Sequence, residues 1–323
     1  MNPASSDTEA HVPVLLAEAV AALGPHDGAL YLDGTFGAGG YSRALLEAAR
    51  CRVVAFDRDP DAVRRGADLA RRYPDRLTLI EGRFSEMETL LKPLGITAVS
   101  GVALDLGVSS MQLDEAERGF SFRDDGPLDM RMARSGETAA DLVNTLSETA
   151  LTTIIRDYGE ERFARRVARA ILAKRAQAPI TRTGELAAIV RRAVPEAGHI
   201  DAATRTFQAL RIAVNDELGE LERGLIAAER LLSPGGRIAV ISFHSLEDRI
   251  VKAFLRTRSA EAPRASRHAP DAQGPASSFT LINRKPIAAS EAETQRNPRA
   301  RSARLRAAAR TAAPAWPVPE ARA

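Results

Sequence analysis

Four glycines and an acid are concentrated in one stretch near the start of the chain, Asp33-Gly-Thr-Phe-Gly-Ala-Gly-Gly-Tyr-Ser42. A short apolar run precedes it and a helical pattern follows it, which predicts a strand, a tight turn and a helix start. Glycine tolerates positive φ and lets a ligand approach the main chain, while the helix N-terminus adds unpaired N–H groups. The pattern indicates either a nucleotide-type site or only a structural turn, formed by Gly34, Gly37, Gly39 and Gly40.

The acid in this stretch, Asp33, favours one class of nucleotide ligand. A carboxylate at the end of the strand would repel the pyrophosphate of a dinucleotide, whereas it could pair with an ammonium group. No Gly-Lys-Ser/Thr follows the glycines, which disfavours a phosphate-binding loop. A ligand that carries both an adenosine and an amino acid fits these residues. S-adenosylmethionine meets that description.

Two further acids follow apolar runs. Asp57 closes the run 51–56 and falls 24 residues after Asp33, near the spacing at which a second-strand acid holds ribose hydroxyls, about 20 residues. Asp105 closes the run 99–104. Ligands of open parallel sheets bind at the carboxyl ends of the strands, so we expect the three acids to converge there. The alternative for Asp57 is an N-cap of the helical pattern that starts at residue 60.

Apolar runs alternate with helical patterns along the chain, which predicts an α/β fold with a doubly wound, Rossmann-like sheet. More than 100 residues separate the fourth run from the helical pattern before the fifth, whereas a crossover needs about a dozen. An inserted helical domain is the simplest account. We predict core segments at 1–112 and 215–306, the insert at 113–214, a mobile loop at 258–278 and a disordered tail at 307–323. Within the insert we expect helices at 140–158, 162–176, 183–194 and 203–213.

The composition is that of a cytoplasmic protein. The only cysteine, Cys51, excludes an internal disulfide, and no run reaches the roughly 18 apolar residues of a membrane span. The five histidines are scattered, so no metal site is predicted. The 45 lysines and arginines exceed the 42 aspartates and glutamates, which gives a net charge of +3. This basic balance permits a nucleic-acid partner. A basic run is either such a contact or a solvated helix face, and comprises Arg165, Arg166, Arg169, Lys174 and Arg175.

Four stretches together resemble one family. They are the glycine stretch; Asp105-Leu-Gly-Val-Ser-Ser-Met-Gln-Leu-Asp114 with Glu117-Arg-Gly-Phe-Ser-Phe122 and Gly126-Pro-Leu-Asp-Met-Arg131; Ile241-Ser-Phe-His-Ser-Leu-Glu-Asp-Arg249; and Asn297-Pro-Arg-Ala-Arg-Ser302. From about residue 11 to residue 306 the chain resembles the bacterial ribosomal small-subunit RNA (cytosine-N4) methyltransferases, the RsmH (MraW) type.

The resemblance implies methyl transfer from S-adenosylmethionine to the exocyclic amine of a cytidine in the decoding region of 16S rRNA, within the small ribosomal subunit. It also implies a methyltransferase-type sheet whose helical insert recognises the substrate. The cofactor contacts that it implies fall on Gly39, Gly40, Tyr41, Asp57, Phe84, Asp105 and Gln112. We predict that Asp33 and Gly37, in the same glycine stretch as Gly39, belong to the cofactor site as well. Many relatives carry histidine where this chain has Tyr41, and Phe84 could instead belong to the core.

The group that orients the target amine is open. Amino-methyltransferases of DNA carry an Asp/Asn/Ser-Pro-Pro-aromatic motif after the fourth strand, and here that place holds Asp105-Leu-Gly-Val. The candidates are Asp105, Ser109 and Ser110, and His244 with Ser245 after the fifth strand. The serines could instead cap a turn and His244 could brace its loop. Arginines of the insert and of the segment 297–306 are expected to contact phosphates.

Two other functions are compatible with the residues. One is an RNA-binding ribosome assembly factor that keeps a vestigial cofactor pocket, and the other is a methyltransferase that acts on a small molecule or a protein. A nicotinamide dehydrogenase is disfavoured by Asp33 and by Ser42, which stands where a third spaced glycine would be needed. The sequence does not determine the oligomeric state.

Overall fold

The computed structural model describes residues 13–195, 201–259 and 275–317. The chain divides into two compact units. The first combines Met1–Gly107 with Glu220–Ala323, and the second is Val108–Gly219. The predicted helical insert, 113–214, lies within the second unit.

A sheet of eight strands forms the centre of the first unit. The order is β3-β2-β1-β4-β5-β8-β6, with β7 paired to β8. Strands β1 to β5 are parallel, whereas β8 is antiparallel to β5, β6 and β7. The strands are β1 (Leu30–Asp33), β2 (Arg52–Asp57), β3 (Leu77–Glu81), β4 (Val99–Asp105), β5 (Leu232–Ser242), β6 (Phe279–Leu281), β7 (Ile287–Ala288) and β8 (Arg304–Arg310). The order reverses between β1 and β4, so the predicted doubly wound α/β fold is confirmed.

The α-helices lie between these strands and in the second unit. Those that begin before the second unit are α1 (Leu16–Leu23), α2 (Gly40–Ala48), α3 (Pro60–Arg72) and α4 (Met87–Leu91). The next are α5 (Ser110–Asp114), α6 (Ala139–Thr145), α7 (Glu148–Gly159), α8 (Ala164–Arg175), α9 (Thr183–Ala193) and α10 (Ala203–Asn215). The last are α11 (Glu217–Leu231), α12 (Ser245–Thr257) and α13 (Glu291–Arg296). Across the described residues, none of the helices combines the length and apolar character needed to cross a membrane.

Helices cover both faces of the sheet because successive strand residues point to opposite sides. In β1, Tyr31 belongs to the apolar cluster that contains α1 and α2, whereas Leu32 belongs to the cluster that contains α4, α11 and α12. Both side chains are at most 1% exposed. Burial on two faces explains why these strands read as continuous apolar runs instead of alternating ones.

Capping residues decide where the helices of the second unit begin. The predicted single helix at 140–158 is wrong, because α6 and α7 are separate helices. The hydroxyls of Thr138 and Ser147 accept hydrogen bonds from Asp141 N and Ala150 N, and the intervening Leu146 is extended. A serine followed by helix-forming residues is a start signal, so the sequence already contained this break.

The C-terminal prediction needs a larger correction. Residues 307–310 were expected in a disordered tail, yet they form part of β8, which lies between β5 and β6. Ala307 and Ala308 are at most 1% exposed, since both faces of β8 are covered. Small side chains, which gave no apolar signal, fit this tightly packed strand. Residues 260–274 of the predicted loop and residues 318–323 of the predicted tail lie outside the described residues.

The ends of the predicted loop are held by a buried acid. Glu229 accepts hydrogen bonds from Arg258 Nε (2.7 Å), from Ser278 Oγ (2.5 Å) and from the backbone N–H of Trp316 (3.2 Å). The Arg310 guanidinium donates to the carbonyl oxygens of Glu229 and Ser278. The residues at both ends of the loop and residues 311–316 after β8 are therefore part of the folded unit.

The placement of β8 predicts different effects for the same substitution at two nearby alanines. Ala308→Asp places an unpaired carboxylate inside the sheet and should lower the free energy of unfolding by about 3 kcal/mol or more. Ala312→Asp, at an exposed position, should change it by less than about 0.5 kcal/mol. Chemical denaturation of both variants measures this difference. Equal unfolding free energies would contradict a buried β8.

Candidate functional site

Three carboxyl groups meet at one edge of the sheet. Asp33, Asp57 and Asp105 end the strands β1, β2 and β4, and β1 lies between the other two. Asp33 is in register with Ala55 and Ala103. Asp57 and Asp105 therefore lie two residues further along their strands, on the same face of the sheet as those partners. Burial raises the pKa of all three carboxyls, and the charge of Asp33 raises the pKa of the other two further. The structure therefore brings together the acids that the sequence singled out.

Asp33 connects the end of β1 to the start of α2. It is fully buried, and its Oδ2 accepts hydrogen bonds from Ser42 Oγ (2.7 Å) and Ser42 N (3.2 Å). Its Oδ1 accepts from Thr35 N (3.2 Å). The carboxylate thus binds both sides of the glycine loop and sets its shape. Pairing of Asp33 with a ligand ammonium stays a prediction.

Three glycines of the glycine loop, residues 34–40, are packed so closely that a side chain would not fit: Gly34, Gly39 and Gly40. Gly39 has φ 77° and forms the N-cap of α2, and a Cβ there would lie 2.7 Å from Leu69 and Phe36. A Cβ on Gly40 would lie 2.1 Å from Pro13. Core side chains pack against the glycines of this loop, so its main chain is the surface that can contact a ligand.

Asp57 joins the end of β2 to the same loop. Its Oδ2 accepts from Gly37 N and its Oδ1 from Asp59 N, both at 2.8 Å. The N-cap of α3 is Asp59, whose carboxylate accepts from Asp61 N, so the capping alternative for Asp57 is wrong. Burial, with the nearby charges of Asp59 and Asp33 as smaller causes, raises the pKa of Asp57 to about 6.

Asp105 has a buried oxygen without a donor. Its backbone N–H donates to Thr35 Oγ1 (2.7 Å), but its Oδ1 has no hydrogen-bond partner among the described residues. Burial and the charges of Asp33 and Glu247 raise the pKa of this carboxyl well above its ordinary value. An unsatisfied buried oxygen costs free energy, so it indicates a donor that a ligand can supply.

The two aromatic residues predicted at the site are packed in the core. The Tyr41 side chain is 3% exposed and its hydroxyl donates to the carbonyl oxygen of Val14. Only the backbone of residue 41 therefore faces the loop. The Phe84 ring lies against α11, since a Cβ on Gly224 would be 2.4 Å from it, and Phe84 packs with the apolar cluster on that face. Phe84 is also half-buried beside the glycine loop, where a Cβ on Gly34 would lie 2.9 Å from its Cβ. Its contact with the cofactor stays a prediction.

The candidates in the second unit serve as helix caps. Ser109 is the N-cap of α5, and its hydroxyl accepts from Gln112 N (3.2 Å). The side chain of Gln112 in turn accepts from Ser109 N (3.0 Å). Ser110 is the first residue of α5. The capping alternative describes Ser109, and a cofactor contact by Gln112 stays a prediction.

His244 forms the turn after β5 together with an acid that the sequence analysis missed. Glu247 is 2% exposed, and its Oε2 accepts from Phe243 N (2.8 Å) and His244 N (3.3 Å). His244 is the N-cap of α12, with Nδ1 3.5 Å from Glu247 N. A helix start is usually marked by Ser, Thr, Asp or Asn followed three positions later by Glu. Here histidine takes the place of the capping residue, so the sequence carries only a weak signal for this cap. The structure agrees with a bracing role for His244.

Thr35 and Ser42 are the other residues that the sequence analysis did not assign. Each contacts a strand-end acid through its side chain, Thr35 at the backbone of Asp105 and Ser42 at the carboxylate of Asp33. Their positions inside the glycine stretch are the only signal for them, because hydroxyl residues in loops usually bond to neighbouring backbone groups.

Comparison with known proteins places this site in a family. Residues 8–311 match the model of the MraW methylase family. A protein of Paramagnetospirillum magneticum named ribosomal RNA small subunit methyltransferase H is 64% identical over 309 residues, which cover 95% of this chain and 97% of that protein. The protein of the same name from Rhodospirillum rubrum is 59% identical over 314 residues, 95% of this chain and 96% of its own. The family match and the identity along nearly the whole length show that the chain belongs to the MraW methylase family.

Proposed function

We propose that the protein transfers the methyl group of S-adenosylmethionine to N4 of a cytidine in the decoding region of 16S rRNA, within the small ribosomal subunit in the cytoplasm. The observation that supports it most is the set of three strand-end carboxyls around the glycine loop. Asp33 is buried, Asp57 and Asp105 are half-buried, and Asp105 Oδ1 has no hydrogen-bond partner among the described residues. The relatives that are named ribosomal RNA small subunit methyltransferase H support the RNA substrate.

The residues present fit this cofactor. S-adenosylmethionine carries a sulfonium and an ammonium against one carboxylate, so it is a cation, and a cation relieves the repulsion among Asp33, Asp57 and Asp105. The Asp57 carboxylate is placed to accept hydrogen bonds from the ribose hydroxyls. Helix α2 begins at Gly40 without a side-chain cap. Ser42 N already donates to Asp33, so we assign the methionine carboxylate to the N–H groups of Gly40 and Tyr41.

The bound cofactor would supply a methyl group already activated by positive sulfur. The chain's own task is then to align the target nitrogen with that methyl, which can contribute several kcal/mol to the lowering of the barrier. The lone pair of cytosine N4 is delocalised into the ring, and an acceptor for its N–H groups favours the tetrahedral geometry. We assign this role to Asp105 Oδ1, because that oxygen has no other partner among the described residues, whereas Ser109 and His244 are used as caps.

A vestigial pocket in an assembly factor is less compatible with the energetics. Burial disfavours the ionised forms of all three acids, and Asp105 Oδ1 lacks a donor. Such groups lower the stability of the free protein, and a chain without a cofactor would be more stable with neutral residues there. A methyltransferase for small molecules or proteins would use the same cofactor site and must be distinguished by its acceptor.

Removal of the Asp57 carboxylate should abolish cofactor binding. In Asp57→Ala the dissociation constant for S-adenosylmethionine should rise about 100-fold or more, since hydrogen bonds to a charged group are lost. The matched control is Asp68→Ala, an exposed acid on α3 that pairs with Arg71. Transfer of labelled methyl to small subunits that lack the modification, followed by nucleoside mass analysis, should show N4-methylcytidine for the wild type and the control only.

Two outcomes of this experiment would contradict the proposal. Unchanged cofactor affinity in Asp57→Ala would place the ribose elsewhere. Cofactor binding without methyl transfer to RNA, but with transfer to a protein or a small molecule, would replace the RNA substrate by that acceptor.

Cofactor binding should weaken in acid because of Asp57. Its carboxyl has a pKa of about 6 in the free protein, and the form that accepts the ribose hydroxyls is the ionised one. Below pH 6 a proton must be released on binding, so the dissociation constant should rise about tenfold for each pH unit. Calorimetric titrations between pH 5 and 7.5 should show this slope of log Kd against pH. Asp57→Asn should bind the cofactor weakly, and its slope should be smaller by about one, because one proton fewer is released on binding. Identical slopes would exclude Asp57 as the titrating group.

Asp105 should affect the chemical step more than cofactor binding. Asp105→Asn keeps the size of the side chain but removes its charge, so kcat should fall about 100-fold. The dissociation constant for S-adenosylmethionine should rise by less than about tenfold, because only one of the three negative charges near the cationic ligand is lost. Single-turnover kinetics with saturating cofactor, beside a binding titration, separates the two quantities. A large loss of cofactor affinity with normal kcat would instead make Asp105 a cofactor ligand.

A further inference from the structure

The segment between α13 and β8 holds exposed cations on an anchored backbone. Residues Pro298–Ser302 form a 3-10 helix whose N-cap, Asn297, accepts a hydrogen bond from Arg299 N (3.1 Å). Ala300 and Ala303 are fully buried in the core beneath α1. Arg301, between them, is exposed. Burial of the alanines thus fixes the direction in which the arginine side chain leaves the surface.

Contacts of this segment place it beside the glycine loop. Glu293 of α13 accepts a hydrogen bond from Leu15 N (2.7 Å), and the neighbouring Val14 carbonyl accepts from the Tyr41 hydroxyl. At the other end, Ser242 Oγ donates to the carbonyl oxygen of Arg304 (3.3 Å). Ser242 ends β5 at the same edge of the sheet as the strand-end acids. The segment therefore borders the proposed cofactor site within the first unit.

Four cations surround this border, and we call them the cationic rim: Lys285, Arg296, Arg301 and Arg304. Lys285 is held next to β8, since Asn283 Nδ2 donates to the carbonyl oxygens of Lys285 (2.7 Å) and Leu305 (3.2 Å). Within the part of the chain that the structure describes, the guanidinium groups of Arg296 and Arg304 donate only to carbonyl oxygens, those of Ala292 and Ala303. Among the described residues no carboxylate forms an ion pair with any member of the rim. The charge of the rim is therefore available to an anion.

Three of the five cations in the basic run on α8, the other candidate from the sequence, pair with acids. Arg165 and Arg169 both bond to Glu148, at 3.1 and 3.0 Å, and Lys174 pairs with Glu185 at 3.2 Å. Arg175 donates to the carbonyl oxygen of Val143 (2.8 Å). These partners agree with the alternative that the run is a solvated helix face. The two groups of cations thus differ in their partners: acids pair with three cations of the α8 run, whereas none pairs with a rim cation among the described residues.

We propose that the cationic rim binds phosphates of the RNA strand that presents the target nucleotide to the site. The proposal rests on the proposed function, because it takes RNA as the substrate. Guanidinium and ammonium groups can bind phosphate oxygens without reading bases, so the rim holds the strand in position and leaves sequence selection to other contacts. Each phosphate that it neutralises releases a counterion, which makes the contribution measurable through its salt dependence.

The test compares two double variants with the same change in charge. Arg296→Gln with Arg301→Gln alters the rim, and Arg165→Gln with Arg169→Gln alters α8. RNA binding is measured by fluorescence anisotropy with a single-stranded fragment of 16S rRNA at several KCl concentrations. For the rim variant, the slope of log K against log salt should decrease by about 1.4, at roughly 0.7 for each lost contact. The α8 variant should keep the wild-type slope, and both should keep the wild-type affinity for S-adenosylmethionine.

The outcomes separate this proposal from the proposed function. A rim variant with the wild-type slope, or an α8 variant with an equal loss, would overturn the rim as the phosphate site even if the wild type methylates RNA. A rim variant with a reduced slope would support the rim as a phosphate site even if the methyl acceptor proved to be an RNA other than 16S rRNA. Thermal unfolding of both variants at the wild-type temperature shows that the changes act on binding and not on folding.

Discussion

The buried carboxylate of Asp33 is the contact on which the site depends. It accepts hydrogen bonds from Thr35 at the start of the glycine loop and from Ser42 in the first turn of α2. The loop between these residues then reaches Asp57 through Gly37 N and Asp105 through Thr35 Oγ1. One buried charge thus links the ends of three strands to the N-terminus of a helix. Its desolvation is the cost of that arrangement, and the hydrogen bonds offset part of it.

The same crowding of carboxyls explains how the free protein is prepared for a cationic ligand. The charge of Asp33 raises the pKa of Asp57 and of Asp105, because like charges in a desolvated site repel. A ligand with positive sulfur and an ammonium group would be bound more tightly than its contacts alone suggest, since it removes this repulsion. Stability of the free protein is lower for the same reason, as expected for groups arranged for function instead of folding.

Prediction from the sequence succeeded where a signal was local. The apolar runs, the turn glycines and the strand-end acids predicted the parallel sheet and the edge at which Asp33, Asp57 and Asp105 meet. It failed for β8, whose central alanines carry no apolar pattern, and for the helix at 140–158, where a capping serine interrupts the periodicity. It could not determine which polar groups already have partners. Glu247 therefore stayed unassigned, and the arginines of α8, which pair with acids, could not be distinguished from those of the rim.

The sequence by itself determined the fold class, the position of the glycine loop and the acids that border it. These follow from periodicity and from residue types that act within a few positions of each other. Only the tertiary structure decided that the Tyr41 side chain lies in the core. It also decided that, among the residues described, Asp105 Oδ1 has no donor and the rim cations have no acidic partner. Those properties depend on residues far apart in the chain, because burial and hydrogen bonding are set by what the fold brings into contact.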